Sequence, residues 1–212
     1  MIPKLHYISQ GNTPKEHLEN IQKACAAGAE LVQLNLQISS EKKYLKFAKE
    51  AREITSHFQT RFIINNHYKI AKEVKADGVH LVDINFCATI ALEYLFTWQI
   101  LGASANTLQE CKTLIEKKVD YINLGPFRLE SINNLNVKQL GTNGYITLIE
   151  ALNTDTPIIA TGGITTKDTQ DILKTGISGI AVSDQITQDF NNIKKFNQLL
   201  GASSIDEKRH TF

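Results

Sequence analysis

Short apolar runs alternate with longer amphipathic segments along almost the whole chain. The runs predict strands at residues 5–8, 31–36, 62–64, 78–81, 100–104, 121–124, 157–160 and 179–182. Continuous apolar runs of this kind are typical of strands that are buried on both faces of a parallel sheet. The segments between them have apolar residues at helical spacing, such as Tyr44, Phe47, Ala48, Ala51 and Ile54 in the segment 41–58.

Local signals mark several helix boundaries. Thr13-Pro14-Lys15-Glu16 and Thr107-Leu108-Gln109-Glu110 have the spacing of a capping box, so helices are predicted to begin there. After the seventh predicted strand, Thr165 or Thr166 is predicted to cap a helix that ends at Gly176. Further helices are predicted at residues 89–95, 145–152 and 193–200.

One plan recurs along the chain, in AGAELVQL from Ala27, KADGVHLV from Lys75, KVDYINLG from Lys118 and TGISGIAV from Thr175. Each copy ends a helix on small or polar residues and enters an apolar strand. Strands and helices that alternate in this way predict a single (β/α)8 TIM barrel over residues 1–203, followed by a loose, charged tail at 204–212. An open, doubly wound sheet is the alternative. The first predicted strand is not followed by a GxGxxG fingerprint, which disfavours dinucleotide binding.

The composition narrows the range of functions. The chain has 212 residues, 42% of them hydrophobic, and its 23 basic and 22 acidic residues give a formal net charge of +1. This balance offers no cationic surface to nucleic acid or to an anionic membrane. Cys25, Cys87 and Cys111 are far apart and form no CxxC pair, as expected for reduced thiols. With no apolar run of membrane-spanning length and no signal-peptide pattern, a cytoplasmic protein is predicted, and homodimer formation is left open.

The turn after the seventh predicted strand has the composition of an anion-binding site. Thr161-Gly162-Gly163 follows an apolar run, and adjacent glycines allow main-chain amides to approach a ligand closely. The eighth strand ends at Val182-Ser183. Because the loops after the seventh and eighth strands of such barrels commonly hold a phosphate, these two turns are predicted to bind one. Two ordinary strand-to-helix turns are the alternative interpretation.

The ends of several predicted strands, taken in order, resemble a single family. The motifs are Val32-Gln33-Leu34, Ile63-Ile64-Asn65, ADGVHL at 76–81, Asp120-Tyr121-Ile122 with Gly125-Pro126-Phe127-Arg128, and Ala160-Thr161-Gly162-Gly163-Ile164. As an ordered set they resemble the thiamine phosphate synthase and thiazole tautomerase family. The resemblance implies a (β/α)8 barrel whose site lies at the carboxyl ends of the strands. It also implies that the chain binds a small phosphorylated heterocycle. The family's synthase joins a thiazole phosphate to a hydroxymethylpyrimidine diphosphate and releases diphosphate with magnesium bound.

The resemblance divides the site into two halves. The thiazole-phosphate cup of the family is kept, at Gly162-Gly163 and Val182-Ser183. Gln33, Asn65 and Ser104 match polar positions of the family and are predicted to bind substrate. The half that holds magnesium and diphosphate departs from the family: Asn35 replaces an arginine, Gln37 a lysine, Asn66 and Asn85 two magnesium aspartates, Glu130 and Ile132 small hydroxylic residues, and Asn133 a loop lysine.

These replacements predict weak synthase activity. A departing diphosphate needs cations near its oxygens, and magnesium needs anionic oxygen ligands, which neutral amides replace poorly. Misalignment within a variable loop is the alternative explanation at Asn133. Arg128, which is predicted to bind substrate, and Lys138 are the loop cations that could restore the missing charge. No metal-ligand set is assigned, and Mg²⁺ is expected only if the chain is an active synthase.

The sequence alone does not identify a catalytic residue. The family's tautomerase has a catalytic histidine after the sixth strand, where this chain has Gly125-Pro126-Phe127. Ser104 and His67 are weak catalytic candidates, with a surface or helix-start position as the alternative for His67, and His80 is interpreted as a hydrogen-bonded core residue. Three functions stay open: a divergent synthase, a non-synthase relative such as a thiazole phosphate isomerase, and a non-catalytic protein that binds a phosphorylated ligand.

Overall fold

The computed structural model describes residues 1–82, 88–129 and 138–201. Within these ranges the strands are β1 (Leu5–Ile8), β2 (Leu31–Leu34), β3 (Arg61–Asn65), β4 (Gly78–Leu81), β5 (Ile100–Ala105), β6 (Tyr121–Leu124), β7 (Ile158–Thr161) and β8 (Gly179–Val182). They are paired in chain order as parallel neighbours, and β8 pairs with β1, with Leu5 opposite Ile180. The (β/α)8 barrel is therefore confirmed. The open sheet is excluded because the first and last strands are joined.

Helices cover the outside of the barrel. In the described ranges they are α1 (Pro14–Ala26), α2 (Glu41–His57), α3 (Tyr68–Glu73), α4 (Ala88–Tyr94), α5 (Leu108–Glu116), α6 (Gly141–Leu152), α7 (Thr169–Leu173), α8 (Asp184–Gln188) and α9 (Asn192–Leu199). The short helix α8 was not predicted. Helix α6 begins earlier than predicted, because the N–H groups of Leu140 and Gly141 donate to the carbonyls of Pro126 and Phe127.

The predicted helix caps have mixed outcomes. The capping box of α5 is confirmed, with Thr107 and Glu110 bonded reciprocally. At α1, Thr13 accepts from the Glu16 N–H as predicted, but the Glu16 carboxylate accepts from the Asn12 N–H instead of the cap. The predicted cap of α7 is wrong: neither Thr165 nor Thr166 caps this helix, whose N-cap is Asp168. The reason is that the Asp168 carboxylate accepts from both the N–H and the hydroxyl of Thr165, which forms a separate turn before the helix.

Apolar side chains fill two layers. The larger one lies between the strands and the helices and includes Tyr44 and Ala48 of α2, both fully buried. The smaller one lies inside the barrel, toward the amino ends of the strands, and is formed by Tyr121, Ile159 and Ala181. Nearer the carboxyl ends of the strands, which form the mouth of the barrel, lie the polar residues Asn65 of β3 and Ser104 of β5.

Two further expectations concern membrane-spanning segments and thiols. No helix within residues 1–82, 88–129 or 138–201 is long and apolar enough to span a bilayer. Cys25 and Cys111 are buried free thiols, as predicted. Cys87 and the tail 204–212 lie outside the described residues.

Two histidines are fully enclosed by the barrel. Nε2 of His6 donates to the Pro3 carbonyl at 3.0 Å, and both ring nitrogens of His80 have hydrogen-bond partners. Burial lowers the pKa of His6 to about 4, although its backbone hydrogen bond acts in the opposite direction. Burial also lowers the pKa of His80 to about 3, and the nearby His6 adds to this effect. Both rings are therefore neutral at physiological pH.

We predict that mild acid destabilises the fold through these two residues. The ordinary histidine pKa is 6.5, so between about pH 4 and pH 6.5 the unfolded chain binds more protons than the folded chain. The stability that these two neutral rings contribute is therefore fully present above pH 6.5 and is lost as the pH falls toward 4. Urea denaturation should show the free energy of unfolding nearly constant from pH 8 to pH 7 and reduced at pH 5, by roughly 2 kcal/mol for each histidine. An unchanged free energy at pH 5 would contradict the neutral, buried state of both rings.

Candidate functional site

An amide ladder crosses one side of the barrel mouth. Nε2 of Gln33 on β2 donates to Oδ1 of Asn65 on β3 at 2.6 Å, and Nδ2 of Asn65 donates to Oδ1 of Asn35 at 2.9 Å. Gln33 and Asn65 are almost completely buried. Since the Asn35 oxygen accepts, its amide N–H groups are the donors left at the end of the ladder. The structure thus joins two predicted substrate-binding residues to one of the replaced diphosphate positions.

A second hydrogen-bonded chain lies on the next three strands of the barrel, β4, β5 and β6, and His80 of β4 is the register partner of Asn65. Nε2 of His80 on β4 lies 2.9 Å from Oγ of Ser104 on β5, and Nδ1 of His80 lies 3.0 Å from the hydroxyl of Tyr121 on β6. Gly102 makes room for this arrangement, because a Cβ atom there would overlap the Tyr121 ring. His80 and Tyr121 are buried, whereas Ser104 is only partly buried. The serine is therefore the member of the chain that reaches the mouth.

Two buried side-chain oxygens inside the barrel have no partner. Among the described residues, Oε1 of Gln33 and Oδ1 of Asn123 accept no hydrogen bond, although both residues are only 2% exposed. A buried acceptor without a donor is unfavourable, and a ligand or water with N–H or O–H groups would satisfy it. Sequence reasoning missed Asn123. Its position two residues after Tyr121 on the same strand places it on the same inward face and could have indicated it.

The loop after β7 turns sharply at two glycines. Gly162 and Gly163 have φ values of 89° and 60°, a backbone region that favours glycine. The loop after β6 lies directly against this turn, with the Phe127 N–H donating to the Thr161 carbonyl at 2.7 Å and the Arg128 N–H to the Gly162 carbonyl at 3.1 Å. A Cβ atom on Gly162 would lie 2.6 Å from Pro126 Cβ, and one on Gly163 would lie 2.9 Å from Arg128 Cβ. Both the conformation and the close contact therefore require glycine.

Arg128 supports the glycine turn. Its guanidinium donates to the Gly163 carbonyl at 2.6 Å and to both carboxylate oxygens of Asp168 at 3.2 and 2.9 Å. Hydrogen bonding to Asp168 raises the pKa of Arg128. Burial alone would raise the pKa of Asp168, but hydrogen bonds from Arg128 and Thr165 outweigh it and hold that pKa below its usual value. Arg128 is thus paired with a carboxylate next to the predicted phosphate turn, and its role in substrate binding stays a prediction.

Ser183 lies beside a polar pocket of about 360 Å³. Its hydroxyl donates to the Ile8 carbonyl at 2.9 Å, so its side chain links β8 to β1. The volume is within the range of small-molecule sites, roughly 300–1,000 Å³. The polar residues of its wall are Ser9, Gln10, Asn12, His17, Asn35, Gln37 and Ser183. The pocket therefore connects a predicted phosphate-binding residue with Asn35 and Gln37, two of the positions where neutral amides replace cations.

The described residues do not fit a magnesium ion held by carboxylates. Asn66, with φ of 60°, uses its side-chain oxygen to accept from the Val82 N–H at 2.8 Å, which links the ends of β3 and β4. In the described ranges no three His, Cys, Asp or Glu side chains are grouped as a metal site would require. Asn85 lies outside the described residues, as do Glu130, Ile132 and Asn133. At the one replaced magnesium position that the structure describes, the donor is a neutral amide already bonded to the backbone.

His67 is the half-buried N-cap residue of α3, two residues after the end of β3. Its ring packs on Tyr44 of α2, with the ring centroids 4.0 Å apart, and it precedes α3 without a side-chain cap bond. Burial lowers its pKa, with Glu41 acting in the opposite direction. Packing against a fully buried tyrosine gives the ring a structural position. Its catalytic role stays a prediction.

Comparison with known proteins is consistent with this geometry. Residues 5–186 match the family model described as thiamine monophosphate synthase. The chain belongs to this family. It is 34% identical to the thiamine-phosphate synthase of Flavobacterium johnsoniae over 97% of its own length and 100% of the relative. It is 36% identical to that of Flavobacterium psychrophilum over 94% and 98% of the two chains.

A solved structure supports the same assignment. The thiamine phosphate pyrophosphorylase of Pyrococcus furiosus superposes with a TM-score of 0.80 at 25% identity, covering 93% of this chain and 97% of the other. The fold of this chain therefore agrees with its membership of the thiamine monophosphate synthase family. Its glycine turn after β7 and its polar mouth occupy the end of the barrel where barrel enzymes have their sites.

We predict that Gly163 tolerates alanine less well than a glycine of matched backbone conformation. Gly163→Ala adds the cost of a left-handed residue, about 1–2 kcal/mol, and a contact of 2.9 Å with Arg128. Gly141 has nearly the same φ, 58°, but nothing lies within 4 Å of its Cβ position, so Gly141→Ala should lose only the conformational part. Urea denaturation of both variants measures the difference. Equal losses would show that the Arg128 loop does not confine the turn.

Proposed function

We propose that this protein is a transferase of the thiamine phosphate synthase type that binds thiazole phosphate firmly and condenses it slowly. The observation that carries the proposal is the glycine turn after β7, which the β6 loop and Arg128 hold in one conformation. A turn of this kind presents main-chain dipoles to an anion without depending on nearby side chains. We assign the phosphate of the ligand to Gly162-Gly163 and to the neighbouring end of β8 at Val182-Ser183.

The inward-facing amides suit the heterocyclic parts of the substrates. Gln33 and Asn123 have buried oxygens that accept no hydrogen bond from the described residues, and Ser104 reaches the same mouth from β5. An amino-substituted ring can donate to such oxygens and accept from the serine hydroxyl. We therefore assign ring recognition to Gln33, Asn65 and Ser104, with Asn123 added from the geometry.

The slow condensation follows from the charge of the mouth. In the reaction, a thiazole nitrogen bonds to the methylene carbon of the pyrimidine while the bond from that carbon to the diphosphate oxygen breaks. The leaving diphosphate gains negative charge, which positioned cations stabilise. Asn35 and Gln37 are neutral, and the Arg128 charge is paired with Asp168. Losing one such donor typically costs about 10²–10³ in rate, and several losses are not additive.

A non-catalytic phosphate-binding protein is the competing function. The neutral amide at Asn66 favours it, because that amide is engaged by the backbone and offers no anionic oxygen to magnesium. Both functions require the same phosphate site. They differ only in whether the two substrates are joined.

We predict phosphate-dependent binding and slow turnover. Calorimetry should detect thiazole phosphate binding that persists in EDTA and is weakened at least 10-fold by Gly163→Ala, because the main-chain turn is displaced. Incubation of both substrates with micromolar enzyme should yield thiamine phosphate slowly. Binding without product, with or without magnesium, would select the non-catalytic function. Absence of binding would reject the phosphate site.

We also predict that magnesium dependence can be strengthened by one substitution. Asn66→Asp keeps an oxygen that can accept from Val82 and tolerates the same left-handed backbone, while it adds the anionic ligand that magnesium prefers. Condensation by this variant should rise about 10-fold or more at millimolar Mg²⁺. Asn153→Asp is the matched control, since Asn153 also has a positive φ, 41°, but ends α6 at the other end of the barrel. A similar response in both variants would reject a magnesium position at residue 66.

A further inference from the structure

We propose that Tyr121 and His80 are positioning residues that make Ser104 a permanent hydrogen-bond donor at the barrel mouth. The three side chains form the continuous chain described above, with separations of 3.0 Å from the tyrosine hydroxyl to Nδ1 and 2.9 Å from Nε2 to Oγ. The sequence alone suggested only a core role for His80. The inference rests on the proposed function for the identity of the ligand, but the direction of the hydrogen bonds rests on the geometry alone.

The direction follows from counting donors. In the described part of the chain, the Tyr121 hydroxyl has His80 Nδ1 as its hydrogen-bonding neighbour, and Tyr121 is fully buried. If Nδ1 carried the proton, the tyrosine O–H would have no acceptor, which is unfavourable for a buried donor. The hydroxyl of Tyr121 therefore donates to Nδ1, which leaves the proton of the ring on Nε2.

The state of Ser104 follows from this tautomer. Because Nε2–H donates to Oγ, the serine oxygen is the acceptor within the chain, and its own O–H is left to point elsewhere. Ser104 is the only one of the three that is not buried, so its O–H is directed to the mouth. There it can donate to a ring nitrogen or a phosphate oxygen of the substrate. The opposite tautomer would make the serine donate to the histidine and present only lone pairs.

The surroundings hold the chain in this direction. The His80 and Tyr121 rings stack with their centroids 5.4 Å apart, and the His6 and Tyr121 rings form a T-shaped pair with centroids 5.0 Å apart. Nε2 of His6 donates to the Pro3 carbonyl, so His6 offers no proton to the tyrosine from its other nitrogen. The lowered pKa of His80 keeps its ring neutral, which the one-way arrangement requires.

Nitrogen NMR tests the direction without any assay of turnover. Long-range ¹H–¹⁵N spectra of the ¹⁵N-labelled protein distinguish a protonated from an unprotonated ring nitrogen, and His80→Gln identifies the His80 signals by their loss. The expected result at pH 7.5 is Nε2 protonated and Nδ1 unprotonated. A protonated Nδ1 would overturn the proposal. In Tyr121→Phe, which removes the donor to Nδ1, the other tautomer should become populated.

A double-mutant cycle tests whether the chain acts through Ser104. Tyr121→Phe should lower kcat/KM for condensation about 5-fold, the scale of one hydrogen bond, yet cause no further loss when combined with Ser104→Ala. Tyr145→Phe is the control, because the buried Tyr145 hydroxyl also donates one hydrogen bond, to the Leu124 carbonyl, without a link to Ser104. Any loss in that variant should add to that of Ser104→Ala. Additive losses for Tyr121→Phe would overturn the positioning role.

The NMR experiment and the double-mutant cycle together separate this inference from the proposed function. If the wild-type protein binds thiazole phosphate but makes no product, the same cycle is read from dissociation constants, with the same expected non-additivity. If it neither binds nor turns over the substrates, the proposed function fails, and the NMR result alone supports or overturns the donor state of Ser104.

Discussion

Closure of the sheet between β1 and β8 is the constraint on which the rest of the structure depends. A closed barrel has no edge strand, and its interior is shielded from water. Each polar side chain that points inward must therefore form hydrogen bonds with other side chains or with a ligand. The amide ladder from Gln33 to Asn35 and the chain from Tyr121 to Ser104 are two solutions to this requirement. Within residues 1–82, 88–129 and 138–201, the oxygens of Gln33 and Asn123 are two buried acceptors that receive no hydrogen bond.

The two halves of the mouth depend on different kinds of atoms. On the proposed function, the turn at Gly162-Gly163 binds phosphate through main-chain groups, and contacts with Pro126 and Arg128 constrain its conformation. The half that includes Asn35 and Asn66 depends on side chains, and a single substitution there changes a charge. A phosphate site of the first kind can persist while the second kind changes, since its chemistry is built into the backbone conformation.

The fold could be predicted from sequence because its signals are local. Each strand is a short apolar run, each helix has its own periodicity, and the motifs at the strand ends occur in order, so the barrel and the family followed. Helix α8 was missed. The early start of α6 was missed because the N–H groups at its start donate to the carbonyls of Pro126 and Phe127, which lie in the loop after β6. The cap of α7 was misassigned because Asp168 bonds backward to Thr165 instead of forward into the helix.

The site was less predictable, because its hydrogen bonds join residues that are far apart in the sequence. Gln33 was predicted from a strand-end motif, and Ser104 was predicted from its match to a polar position of the family. The partners that set their hydrogen-bonding roles come from other strands: His80 and Tyr121 are 41 positions apart, and Gln33 and Asn65 are 32 apart. Whether Ser104 presents a proton or a lone pair is decided by Tyr121, at the other end of the hydrogen-bonded chain. A residue list cannot contain that information, because it arises only when β4, β5 and β6 are placed side by side.

The neutral character of the mouth bears on which anion the protein favours. A cup of main-chain dipoles can balance the charge of one phosphate group, whereas a diphosphate adds charge that dipoles alone balance less well in a pocket of limited volume. In the pocket between β1, β2 and β8, amide and hydroxyl groups are the principal polar groups, and the Arg128 guanidinium is engaged with Asp168. On the proposed function, the thiazole monophosphate is therefore the substrate that this mouth holds on its own. The diphosphate substrate depends on charge that must be brought by magnesium or by the loop that follows Arg128.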